Sequence, residues 1–229
     1  MAGYMYFNKK RVCPALLVGG GETWYNPEHF FIRFPDGETD LSGRFTLTLN
    51  ETGVLTDIDF NDVEVISGKN VLMEQFVGNK GLGKVNTSGI KKITGEGGMK
   101  GAFLSAQFSG EFPTFDSLEE ISGYMGAVSL FQESNISGSF RFPKLSKITG
   151  SVCLGLAFEL TNIEHIYFDA LTTQSFGSDT TQLAMIVDGV TGCTLHFPSN
   201  LSSVIPTLYD YPNFSGTNTV ILYDLPATS

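Results

Sequence analysis

Phe142-Pro-Lys-Leu145-Ser-Lys-Ile148-Thr-Gly150 decides the fold, because its pattern, Phe-x-x-Leu-x-x-Ile-x-Gly, returns along the chain. Upstream it recurs as Phe115-Asp-Ser-Leu118-Glu-Glu-Ile121-Ser-Gly123 and as Phe60-Asn-Asp-Val63-Glu-Val-Ile66-Ser-Gly68. Between those two lies a weaker copy, Thr87-Ser-Gly-Ile90-Lys-Lys-Ile93-Thr-Gly95. Downstream it fades into Phe168-Asp-Ala-Leu171 and Phe197-Pro-Ser-Asn-Leu201. The isoleucines at 66, 93, 121 and 148 are separated by 27, 28 and 27 residues. Self-similarity at such a period marks a solenoid, in which no unit buries its apolar side alone.

Two positions before the phenylalanine there is usually another apolar residue: Ile58, Phe140, Ile166 and Leu195, with Val85 in the weak copy. Apolar-x-apolar is the period of a strand with one buried face. The residues between, Asp59, Arg141, Tyr167 and His196, are expected to face outward. Leu-x-x-Ile has the wrong spacing for a strand and suits a tight turn or a short 3₁₀ segment. The glycine that follows is expected to supply φ > 0 at a corner. Each repeat therefore reads as strand, corner and return stretch, and stacking the strands gives a parallel sheet.

The repeat, with the later Ala157-Phe158, resembles the BspA-like class of leucine-rich repeats. The run Leu160-Thr-Asn-Ile163-Glu-His-Ile166-Tyr-Phe168-Asp-Ala-Leu171 is similar to that style of repeat, and the resemblance covers roughly residues 55 to 205. The linkers vary, and the unit around Gly78 to Gly101 is degenerate. The resemblance implies an extended binding surface and no catalytic residues.

In a chain of 229 residues, 41% hydrophobic and only 17% charged, with 26 glycines and 19 phenylalanines, the composition suits a β-rich, turn-rich fold. The net charge of −10 argues against a nucleic-acid groove or an anionic membrane surface as partner. Cys13, Cys153 and Cys193 are too few and too scattered for a disulfide framework, and the last two read as small buried residues. Met1-Ala-Gly-Tyr-Met-Tyr6 lacks the apolar core of a signal peptide, and no stretch approaches the ~20 apolar residues of a membrane span.

The expected architecture is mainly β: a short leucine-rich-repeat-like solenoid with a period of about 27. It divides into an N-terminal β-rich cap and attachment region at 1–50, the solenoid at 51–205, and a C-terminal capping strand and tail at 206–229. Tyr4–Phe7 and Val12–Val18 read as a hairpin with the basic turn Asn8-Lys9-Lys10-Arg11; Glu28–Phe34 and Arg44–Leu49 are further strands. Thr219–Tyr223 reads as the final strand.

Sites of chemistry are sparse. Gly78-Asn-Lys-Gly-Leu-Gly83-Lys84 has most of a phosphate-binding loop, but Val85 stands where Ser or Thr would hold Mg²⁺ and no helical period follows. Asp57-Ile-Asp59-Phe-Asn-Asp62 opens like a calcium loop, yet the sixth and twelfth positions are Asp62 and Gly68. His29, His165 and His196 share no ligand spacing, and the adjacent Glu119 and Glu120 point in different directions along a strand. No catalytic residue, metal ligand or cofactor is expected. Lys9, Lys10, Arg11, Trp24 and Tyr25 form the candidate attachment surface, a basic cluster beside the chain's one tryptophan.

The opening Phe7-Asn-Lys-Lys-Arg-Val-Cys-Pro14 with Val18-Gly-Gly20 is similar to the start of some phage virion proteins. The ending Gly216-Thr-Asn-Thr-Val-Ile-Leu-Tyr-Asp-Leu-Pro-Ala-Thr228 resembles endings of repeat proteins encoded by gut phages. These resemblances imply a non-enzymatic virion component, capsid-decorating, head-fibre or tail-associated, assembled in the host cytoplasm. Its expected partners are other virion proteins, a second copy of itself, and a glycan or protein on the host surface, with neither nucleic acid nor a membrane span. The alternative is a bacterial BspA-like surface adhesion module, which would require a secretion signal and an anchor.

Overall fold

The computed structural model describes residues 46–50, 55–60, 62–178, 180–208, 214 and 216–228, together with the backbone of three short strands nearer the N-terminus. Those three are Tyr6–Phe7 (β1), Trp24–Asn26 (β2) and Phe30–Ile32 (β3), and Thr46–Leu49 (β4) follows. Four coils then each supply a longer and a two-residue strand. They are Leu55–Asp59 (β5) with Val65–Ile66 (β6), and Lys80–Asn86 (β7) with Lys92–Ile93 (β8). Gln107–Glu111 (β9) goes with Glu120–Ile121 (β10), and Ser137–Phe142 (β11) with Lys147–Ile148 (β12). Asn162–Phe168 (β13), Thr194–Pro198 (β14), the single-turn helix Ile205–Leu208 (α1) and Val220–Leu225 (β15) complete the described elements. The molecule is a parallel-stranded β-solenoid of about six turns with a period near 27 residues.

One side of the stack is built from the longer strands, as β5-β7-β9 and β11-β13-β14-β15, all parallel. Between the two groups Asn135 replaces a strand: its amide accepts from Phe108 N at 2.8 Å and donates to Phe108 O at 2.9 Å. The second side is the parallel ladder β6-β8-β10-β12, in which Ile66, Ile93, Ile121 and Ile148 stand in register. All four are fully buried, beside a second buried column of Val63, Ile90, Leu118, Leu145 and Leu171. The expected columns are therefore present, but the local geometry differs from the expectation. The tight turn lies one step earlier, closed by Val63 N to Phe60 O and by Leu118 N to Phe115 O, and the isoleucine sits on a strand of its own.

The third side is a ribbon of overlapping turns. Along it every second N–H runs down the solenoid axis: Asn70, Leu72, Glu74, Phe76 and Gly78 donate to the carbonyls of Glu96, Gly98, Lys100, Ala102 and Leu104. Intervening N–H groups close four-residue turns, as Met73 does onto Asn70. Every fourth residue has positive φ, so Met125, Ser129 and Glu133 occupy a conformation that costs L-residues roughly 1–2 kcal/mol each. The bonds to the next coil hold them there. Inward from the ribbon, Phe76, Phe103, Phe131 and Phe158 stack with centroids 5.5, 5.7 and 5.6 Å apart. Phe142, Phe168 and Phe197 form a second stack at 5.4 and 5.2 Å.

At the N-terminal end the coil strands are met by β4, which pairs antiparallel with β5 and places Leu47 opposite Ile58. β1 then pairs parallel with β4. The hairpin partner expected at Val12–Val18 lies outside the described residues. At the other end β15 joins in parallel as one more rung, extending the sheet.

The recurrent glycine is also explained differently. Gly95, Gly123 and Gly150 do not have positive φ; they are sites of close approach between coils. A Cβ on Gly123 would lie 2.0 Å from the Gly95 carbonyl oxygen, and one on Gly150 would lie 2.2 Å from that of Gly123. Gly123→Ala should therefore destabilise the protein by about 2 kcal/mol or more, as read by chemical denaturation. Gly83→Ala, where the nearest atom is 3.4 Å away, should cost roughly 1 kcal/mol or less. Equal losses at the two positions would show that coil spacing does not select the glycine.

Candidate interaction surface

The candidate attachment residues fall where little is described. Lys9, Lys10 and Arg11 lie outside the described residues, whereas Trp24 and Tyr25 lie on β2, opposite Ile32 and Phe31 of β3 in an antiparallel pair. The Gly-rich run does not form a phosphate loop. From Lys80 to Asn86 it is strand β7, and the turn at Thr87 and the short strand β8 follow it instead of a helix. Asp59 is exposed at the end of β5 and accepts a hydrogen bond from Asn86 Nδ2 at 2.9 Å, as an outward strand residue should.

The outer face of β11, β13, β14 and β15 carries a polar cluster, which the sequence spacing did not reveal. Arg141 holds its guanidinium 4.5 Å above the Tyr167 ring and pairs with Asp169 at 3.4 Å. The other face of Tyr167 stacks on His196 at 4.1 Å and 14°. His196 in turn bonds His165 through Nε2 at 3.1 Å and Asp224 through Nδ1 at 2.9 Å. A carboxylate only accepts, so His196 Nδ1–H donates to Asp224, and the imidazoles of His196 and His165 share the second hydrogen bond. The result is a ladder across four coils that ends on β15.

His196 departs from expectation. It stands on the outward face but is only 6% exposed, because Tyr167 on one side and the strand bearing Asp224 on the other cover it. No sequence signal marked it. His165 and His196 are 31 residues apart, and the parallel register of β13 with β14, His165 beside Thr194 and Tyr167 beside His196, sets them diagonally across the two strands.

Beyond the ladder lies the edge of β15. Val220 is 46% and Leu222 39% exposed, while Ile221 and Tyr223 are partly buried against the core. Tyr223 continues the Phe142–Phe168–Phe197 stack at 6.3 Å from Phe197. Burial raises its phenol pKa. Among the described residues no strand pairs with the far edge of β15. After Leu225 the chain leaves that edge, since Thr228 bonds to Asn200 and to the Leu171 carbonyl.

The other faces are charged in different ways. Beside β10, burial opposes ionisation of Glu120, but hydrogen bonds from Lys147 and Ser122 and the charge of Lys92 outweigh it and hold the carboxyl below its usual range. On the ribbon, burial and the neighbouring Asp188 and Glu133 raise the carboxyl of Glu159. Burial pushes the Cys193 thiol up to about 12, and Cys153 is likewise buried. Among the described residues no three His, Cys, Asp or Glu side chains are grouped to hold a metal ion, and no helix is long and apolar enough to cross a membrane.

The class this geometry defines is a parallel β-solenoid whose outer strand face carries polar and aromatic side chains. Comparison with models of known families, with curated proteins and with solved structures finds no match.

Two measurements check the electrostatics. Asp224→Ala leaves the buried His196 Nδ1–H without its acceptor, and unfolding free energy should fall by about 1–2 kcal/mol. Unchanged stability would remove the ladder as the fastener of β15. Glu159 has its folded value raised, so its contribution is fully present below the unfolded value and is lost as pH rises through the folded one. Glu159→Gln should therefore stabilise the protein at neutral pH by roughly 0.3 kcal/mol, after allowance for solvent screening. That gain should vanish once the pH falls below the carboxylate range. A gain that persisted in acid would contradict this assignment.

Proposed function

We propose that the chain is a non-enzymatic structural and interaction protein, a bacteriophage virion component that attaches by residues 1–50 and displays a repeat of the BspA-like leucine-rich class. The carrying observation is the self-contained solenoid. Its isoleucine and phenylalanine columns run from coil to coil within residues 55–223, and its outer strand face bears charged, hydroxyl and aromatic side chains. A core completed by the repeats leaves the preceding residues free to specialise in attachment. Lys9, Lys10, Arg11, Trp24 and Tyr25 supply the positive and aromatic groups that contact centres favour. The similarities of the opening and the ending to phage proteins give the reading its particle context. The face from Arg141 to Asp224 is the part offered to a host glycan or protein.

The test is to delete residues 1–40 and supply the truncated chain during assembly of the parent particle. It should fold, with a melting transition, and fail to co-purify with particles. Incorporation at the full-length level would place attachment in the repeats or in β15 and overturn the reading.

A further inference from the structure

We infer that His165 and His196 form an acid-operated latch on β15, closed while the two rings share a proton and opened when each ring carries two. His165 Nδ1 and His196 Nε2 stand 3.1 Å apart, and His196 Nδ1 donates to Asp224 at 2.9 Å. A neutral imidazole offers one donor and one acceptor, whereas an imidazolium offers two donors and no acceptor. With both rings neutral, His196 Nε2 accepts from His165 Nδ1–H. One added proton leaves the bond in place, since His196 then donates from both nitrogens, to Asp224 and to His165 Nδ1. A second added proton removes it. Two N–H groups and two positive charges then face each other across the same 3.1 Å.

The groups around the pair do not absorb that second charge. On β15 the carboxylate in contact is Asp224, and it already serves His196. Just after β13, Asp169 is taken by Arg141, and Glu164, next to His165 in the chain, is exposed to solvent. Arg141 of β11 adds a further positive charge above Tyr167, whose ring lies against His196. On β14 the residue beside His165 is the uncharged Thr194. His196 is buried, so water does not replace the lost bond while β15 stays in place.

The element that yields is β15. Its Ile221 and Tyr223 are only partly buried, and Val220 and Leu222 are exposed. The strands that carry the two histidines are instead anchored by fully buried residues, Ile166 and Phe168 on β13 and Leu195 and Phe197 on β14. When β15 lifts, Asp224 leaves with it and His196 meets water, so each ring takes its protons independently. The open state therefore binds more protons than the closed one, and falling pH favours it. Beyond the strand, Thr228 bonds to Asn200 and to the Leu171 carbonyl, which tethers the chain and keeps the opening local.

The experiment uses the purified full chain without any particle, so its outcome is separate from that of the attachment test. Residue-resolved amide hydrogen exchange, corrected for intrinsic rates, is followed from about pH 8 to about pH 5, where imidazoles take up protons and ordinary carboxylates stay ionised. Protection of Val220 N–H, which donates to Cys193 O, should fall at least about tenfold towards the acid end. Phe76 N–H, bonded to Ala102 O on the ribbon, should keep its protection. In His165→Gln the side-chain amide serves His196 in either charge state, accepting from it or donating to it, so the acid loss at Val220 should disappear. If that variant fails to fold, the imidazole nitrogen resonances of the parent decide, because the loss at Val220 must accompany the second added proton and not the first. Val220 protection that stays level across the range overturns the inference. So does an acid loss that persists in His165→Gln, or one already complete with the first proton.

Discussion

Everything in this molecule depends on how closely one coil can sit on the next. Parallel strands require a spacing of ~4.8 Å, and all three sides of the coil must keep it together. At the corner after each isoleucine the backbone of one coil approaches the carbonyl of the coil before it so closely that a Cβ would collide. Where the corner is glycine the coils close up. The isoleucines then pair in register, and the phenylalanine rings fall at stacking distance. On the ribbon side the same spacing lets alternate N–H groups reach the next coil. Those bonds hold Glu, Met, Leu and even Val152 at positive φ, a conformation that isolated chains avoid.

Such a stack is strong along its length and exposed at its ends, since an inner coil has neighbours on both sides and an end coil has one. The two ends are treated differently. At the first coil the direction of pairing changes and β4 lies antiparallel. At the last coil β15 continues in parallel, pinned on its outward face through Asp224 and His196. The Arg141–Tyr167–His196–Asp224 ladder thus ties the outer strand face to the last strand.

Some elements were legible in the chain because they repeat. Ile66, Ile93, Ile121 and Ile148 recur at an interval that no single domain core would impose, and they form the column their spacing implies. The strand at Val220 was also legible, from a run of branched and aromatic residues. Other readings placed the right residue for the wrong reason. Glycine at 95, 123 and 150 answers a contact between coils, which no local turn preference contains. The Leu-x-x-Ile step looked like a turn because three-residue spacing is helical, but the turn spends itself between phenylalanine and leucine.

The sequence by itself therefore determined the period, the apolar columns and the mainly-β class. Those follow from the identity and spacing of residues that each coil must bury. Tertiary structure alone decided the third side, the burial of His196 and the polar ladder. Positive φ at Leu156 or Glu133 is not a preference of those residue types; it is held by the turns closed around them together with hydrogen bonds to a coil 26 to 28 residues away. His165, His196 and Asp224 are likewise ordinary surface residues until stacking sets their strands side by side. Contacts between coils are made at a distance along the chain that no local pattern records, so what they create could be seen only once the coils were stacked.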